Sequence, residues 1–137
     1  MYKRIMLPID LAHTDRLDKA LATAVDLSRH YGAPIYCVGV TASAPSAVGH
    51  NPEEYARKLD EFVAARAAKE GVEMIAKSVI SHDPVRDLDD VLQEQIGELE
   101  IDLVIMASHV PTFGEHLLAS NAGYLAAHTD TSVFIVR

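Results

Sequence analysis

The sequence predicts an α/β fold: a doubly wound, five-stranded parallel sheet in the order 3-2-1-4-5, carrying four helices. Two observations predict it. Short apolar runs alternate with helix-period segments from one end of the chain to the other, five strands and four helices in all. Two of those helices open on the same signal, a capping residue followed by proline, at Asn51-Pro52 and Asp83-Pro84. The size agrees: 137 residues, 49% of them hydrophobic, suit one domain over residues 1–137 that buries a real core.

The first strand is expected from about Arg4 to Asp10, an apolar run closed by an acidic residue. The first helix covers about Asp15 to Tyr31, because Leu17, Ala20, Leu21, Ala24, Leu27 and Tyr31 fall on one face. Thr14 is placed to cap its start and Gly32 its end. The second strand, about Pro34 to Val40, is continuously apolar and holds Cys37, which reads as a buried, reduced thiol. A loop of small residues from Thr41 to His50 follows and is expected to be mobile.

In the second helix Glu53 and Glu54 sit near the positive end, behind the Asn51 cap. Tyr55, Leu59, Phe62 and Val63 form its buried stripe, and Gly71 stops it. The third strand, about Val72 to Ile80, alternates polar and apolar residues, the pattern of an edge. The third helix presents Val85, Leu88, Val91, Leu92, Ile96 and Leu99, with Gly97 a weak point. The fourth strand is Leu103 to Ala107. The fourth helix is about Asn121 to His128, capped by Ser120, with a helical turn before it as the alternative, and the fifth strand is Ser132 to Val136.

Composition narrows the function. A formal net charge of −8 without a Lys/Arg cluster argues against nucleic acid as a partner, since such binding needs basic patches. No apolar run is long enough to span a membrane. Met1–Arg4 leads straight into the first strand with no signal region, and one cysteine precludes an internal disulfide, so a cytoplasmic protein is expected. The seven histidines are scattered and form no metal-ligand spacing with Cys37, so no metal site is expected.

In doubly wound sheets the ligand crevice lies beyond the strand C-termini where strand order reverses. For the order 3-2-1-4-5 that point lies between the first and fourth strands, at Asp10 and Ala107-Ser108-His109. The stretch from Ala107 to Asn121 joins a strand to a helix, a junction that often holds phosphate through free helix N–H groups. Other doubly wound classes do not fit. There is no carboxylate cluster for a phosphoreceiver domain, no flavodoxin-type loop after the first strand, no Gly-x-Gly-x-x-Gly and no Walker loop.

Arg4-Ile5-Met6-Leu7-Pro8-Ile9-Asp10, Asp102-Leu103-Val104-Ile105-Met106-Ala107-Ser108-His109 and Thr131–Arg137 together resemble the universal stress protein (UspA-like) family across the whole chain. The resemblance implies a Rossmann-like, adenine nucleotide alpha hydrolase-like fold. Many members of that family resemble ATP-binding proteins and carry Gly-x2-Gly-x9-Gly-Ser/Thr after the fourth strand. On this chain the motif falls on Ala107, Val110, Ser120 and Asn121, so all three glycines are replaced. Val110 is β-branched and precedes Pro111, which drives it to extended conformations and removes one N–H. The chain thus resembles the branch with a degenerate glycine motif.

The resemblance further implies that Asp10 and Val40 contact a nucleotide, with Ala107, Ser108, His109, Ser120 and Asn121 completing the set if one binds. ATP is the candidate ligand, and no other cofactor is expected. Each residue has a plainer reading beside this one. Asp10 also suits a turn cap, Ser120 a helix cap, and His109 a ligand contact better than a base for Ser108. The family also implies homodimers through Ser132–Val136, an apolar strand that would otherwise leave a bare edge. The first expectation is a non-enzymatic stress-response module with ATP binding weak or lost, acting on a small molecule or protein partner. An ATP/AMP sensor with a rebuilt loop is the second, and a slow nucleotide hydrolase the third.

Overall fold

The chain's architecture is described from a computed structural model, which covers residues 1–45, 48–108 and 117–137, with the backbone alone for residues 85 and 117–121. Its strands are β1 (Ile5–Pro8), β2 (Ile35–Ala42), β3 (Met74–Ser81), β4 (Leu103–Ala107) and β5 (Ser132–Val136). Its helices are α1 (Asp18–Tyr31), α2 (Pro52–Glu70), α3 (Pro84–Glu98) and α4 (Leu117–His128). The five strands form one sheet in the order β3-β2-β1-β4-β5, every neighbouring pair parallel. The predicted fold class is the observed one, and β3 is an edge.

Alternation along the central strand builds two cores. Ile5 and Leu7 of β1 point to one face, where Leu17, Leu21 and Val25 of the first helical segment meet Tyr55, Leu59 and Val63 of α2. Met6 points to the other, against Leu88, Leu92 and Ile96 of α3 and Leu125 of α4. β1 is buried throughout because helices cover both faces, which is why it reads as an unbroken apolar run.

The local signals act as expected at most helix ends. Asn51 Oδ1 accepts from Glu54 N–H at 2.7 Å, and Asp83 Oδ1 accepts from Arg86 N–H at 3.2 Å. Gly32 and Gly71 close α1 and α2 in the left-handed conformation, with φ of 66° and 67°. Two helix starts differ from the sequence reading. Thr14 is no cap, because the chain leaves β1 through a 3-10 helix, Leu11–Leu17, that Asp10 caps by accepting from Ala12 N–H at 3.2 Å. Ser120 is no cap either: α4 begins at Leu117, so Ser120 lies within the helix. Leu117, Leu118 and Ala119 are strong helix formers and extend it upstream of the polar pair.

Pro8 shapes the sheet where function is expected. Ile5 and Ile9 donate their N–H groups to Pro34 and Val38 of the β2 side, so the intervening even positions face β4. Pro8 has no N–H to give there. Accordingly β1 pairs with β4 only at Ile5–Leu103 and Met6–Val104, while its register with β2 runs on through Pro8–Val38. At the other end the Asp102 carboxylate ties the two strands together, accepting from Lys3 N–H at 2.8 Å and Arg4 N–H at 3.0 Å.

Candidate functional site

At the C-terminal ends of β1 and β2 lies a cavity of about 230 Å³. Pro8, Ile9 and Asp10 form one side with Leu11 and Ala12 of the 3-10 turn, and Val38, Val40, Thr41 and Ala42 of β2 form the next. Tyr55 of α2 closes it from one face of the sheet; Pro84, Leu88 and Leu92 of α3 close it from the other. Val48 contributes from the loop after β2. Helices from opposite faces meet here because both overhang the end of the sheet.

Asp10 is the one charged residue among the described lining, and no Lys or Arg accompanies it. Its Oδ1 accepts from Ala12 N–H, and its Oδ2 lies 2.9 Å from His13 Nδ1. The turn-cap reading of Asp10 is therefore correct, and the same carboxylate also faces the cavity. A carboxylate has about four lone-pair sites, so these two contacts leave acceptor capacity. The Tyr55 side chain is buried, and burial, reinforced by the Asp10 charge, pushes its hydroxyl up to about 12. It is a neutral phenol near neutral pH and keeps its proton to donate.

Tyr55 reaches its position because Gly39 of β2 has no side chain. A Cβ at Gly39 would stand 2.5 Å from the Tyr55 hydroxyl and 3.0 Å from Leu59 Cδ2. Gly39→Ala is expected to destabilise the protein by about 1–3 kcal/mol, since overpacking here outweighs the smaller gain from a stiffer unfolded chain. Urea unfolding checks it. Adding Tyr55→Phe should recover part of the loss by removing the clashing oxygen. A stabilised Gly39→Ala variant would contradict the packing.

Of the residues expected to form a site, Asp10 and Val40 share this cavity. β2 continues two residues past Val40, so Val40 lines a wall and does not end the strand. Ala107 is buried in the core with β4, and the Ser108 N–H donates to the Val136 carbonyl at 2.7 Å. Neither is among the described residues that line the cavity. His109 and the side chains of Ser120 and Asn121 lie outside the described residues. Among the described residues no three His, Cys, Asp or Glu side chains converge as a metal site would require, and no helix is long and apolar enough to cross a membrane.

Sequence reasoning missed His13, Tyr55, Leu88 and Leu92 as site residues. The last three were visible only as helix stripes, which describe core and cavity wall alike. Gly39, alone in an apolar strand, did carry a signal, because such a glycine marks a close approach.

The model of the universal stress protein family matches residues 1–137. Universal stress protein G of Salmonella typhimurium is 30% identical over 145 residues, and the match covers all of both chains. Among solved structures, a universal stress protein from Archaeoglobus fulgidus superposes with a TM-score of 0.67 at 20% identity, covering all of both chains. A universal stress protein in complex with cAMP superposes equally well, with a TM-score of 0.67 at 20% identity over 99% of this chain and 97% of that one.

Proposed function

This chain belongs to the universal stress protein family, and from that premise we propose that it is a non-enzymatic, ligand-responsive stress-protein module in which ATP binding is weak or lost. One observation carries the reading. The described lining of the cavity at the strand ends includes Asp10 and Val40 but no basic side chain, and one helix start that borders it is already capped. That helix is α3: Pro84 lines the cavity, and the Asp83 carboxylate accepts from the Arg86 N–H and places a negative charge at the end that would otherwise attract an anion. A triphosphate would approach Asp10 with no countercharge from the described lining. The replaced glycines and Val110-Pro111 act in the same direction.

Calorimetry with Mg-ATP tests this. The expected result is no saturable heat at micromolar concentrations. Micromolar, saturable binding would instead support the second reading, an ATP or AMP sensor with a rebuilt loop and Asp10, Val40, Ser108, Ser120 and Asn121 as contacts. The cAMP-bound relative favours that second reading, since it holds an adenine nucleotide on the same fold. A slow hydrolase ranks third; turnover abolished by Asp10→Ala would establish it.

We further propose a cytoplasmic homodimer paired through β5. That strand is at the sheet edge, and its Phe134 is 46% exposed. An apolar edge with an exposed aromatic favours pairing with a second copy. Light scattering should give a dimer at micromolar concentration, and Phe134→Lys should shift it to monomer. A monomeric wild-type chain would refute the interface.

A further inference from the structure

β3 closes the sheet on the side away from β5, and its outer ladder is open. Ile35 donates its N–H to the Glu73 carbonyl, so the odd positions of β3 face β2. Met74, Ala76, Ser78 and Ile80 therefore turn both N–H and C=O outward, and no described residue bonds to those groups. We propose that this edge is a docking site for an extended peptide segment. The segment adds a sixth strand antiparallel to β3 and carries an acidic residue between two apolar ones, the acid opposite Lys77.

The edge lacks most of the devices that blunt such a strand. Met74–Ser81 pairs residue for residue with Ile35–Ala42 of β2, without a bulge, and no proline interrupts it. Met74 and Ala76 pack on the α2 side of the sheet and Val79 on the α3 side. By alternation Ile75 and Lys77 share the face of Val79, a row that reads apolar, cationic, apolar. Lys77 is half-buried, and its ammonium has no acidic partner among the described residues. Its own N–H and C=O face β2. A residue opposite it on an antiparallel strand therefore forms a non-hydrogen-bonded pair, the geometry in which side chains come closest. An acid there gains an ion pair, and a base there is repelled. Lys77 also disfavours a second copy of β3. Centred on Lys77, an antiparallel copy sets two ammonium groups opposite each other; centred on Ser78, it sets them on the diagonal. The overall charge of −8 slows an approaching acidic peptide, a long-range effect that salt screens, whereas the Lys77 pair forms at contact. Ile80, 58% exposed, offers a further apolar contact on the opposite face.

Amide NMR on the full chain tests this, with the end-capped peptide Thr-Val-Thr-Glu-Thr-Val-Thr as probe and the same peptide with Lys for Glu as control. At about 0.15 M salt the Glu peptide should give saturable shifts, with a dissociation constant on the order of 0.1–1 mM. The Met74, Ala76, Ser78 and Ile80 amides should gain protection from hydrogen exchange. Those of Ile75, Lys77 and Val79, already bonded to β2, should keep the protection they have. The Lys peptide should bind about tenfold more weakly. Lys77→Glu should invert that order; Lys77→Met, which keeps the apolar stem, should erase the difference if the first variant does not fold. Absence of saturable shifts with the Glu peptide would refute the site. Equal binding of the two peptides to the unmodified chain would refute the pairing with Lys77, and with it the acidic partner. Protection gained at Val133, Phe134 and Ile135 of β5 instead would refute β3 as the docking edge. A dimer that Ser78→Pro converts to monomer in light scattering would seat a second copy on β3 and refute the peptide as its occupant.

Discussion

Leu92→Ala is expected to destabilise the protein by about 2–5 kcal/mol, read as a lower urea midpoint at unchanged m-value. Leu92 is fully buried and joins the α3–α4 core to the cavity, packing with Val38, Met106 and Leu125 while lining the opening. Truncation removes three carbons that neighbours on the sheet are too constrained to replace, because strand positions are fixed by the ladder. The hole merges with the existing cavity, which Leu92 lines. Leu92→Met, which keeps the volume, should cost less than about 1.5 kcal/mol. Equal losses in the two variants would mean that Leu92 does not pack as described.

A second large effect is expected in alkali. Burial in β2 pushes the Cys37 thiol from 9.0 up to about 12. Below about pH 9 the thiol is protonated folded or unfolded, and its contribution is fully present. Above that value the unfolded chain ionises while the folded chain does not, so stability falls as pH rises towards 12. The span of about three pH units corresponds to about 4 kcal/mol in all, and about 2 kcal/mol at pH 10.5. Tyr55, raised from 10.0 to about 12 by burial and by Asp10, adds a loss in the same direction at the upper end of that window. Urea unfolding at about pH 8 and about pH 10.5 measures the slope. Cys37→Ala should remove most of it; a variant that keeps the wild-type slope would refute the assignment.

The sequence was legible where a signal is local. Asn51-Pro52 and Asp83-Pro84 start helices because cap and proline act on the next few N–H groups, whatever packs above them. Gly32 and Gly71 end helices because little but glycine enters the left-handed region cheaply. β4 and β5 fall on their expected residues because a buried parallel strand is a short apolar run and little else. The reading failed where two local signals competed. Thr14 has the composition of a cap, but Asp10, four residues earlier, had already turned the chain into a 3-10 helix. Ser120-Asn121 likewise has the composition of a helix start, and the helix formers before it won.

The candidate site divides in the same way. Asp10 was identifiable as an acidic residue ending a central strand, and the structure gives it a role in the turn and a place at the cavity. Tyr55, Leu88 and Leu92 were not identifiable as site residues, because periodicity reports which face a helix buries and not how far its end projects past the sheet. By itself the sequence determined the parallel sheet, the two-faced core and the place in the family, since these follow from the alternation of strands and helices, caps and motif order along the chain. Only the tertiary structure decided that the cavity lies over β1 and β2. Pro8 withholds the N–H that would have carried β1 further along β4, Gly39 admits Tyr55, and α2 and α3 arrive from opposite faces to close a space that no single segment encodes.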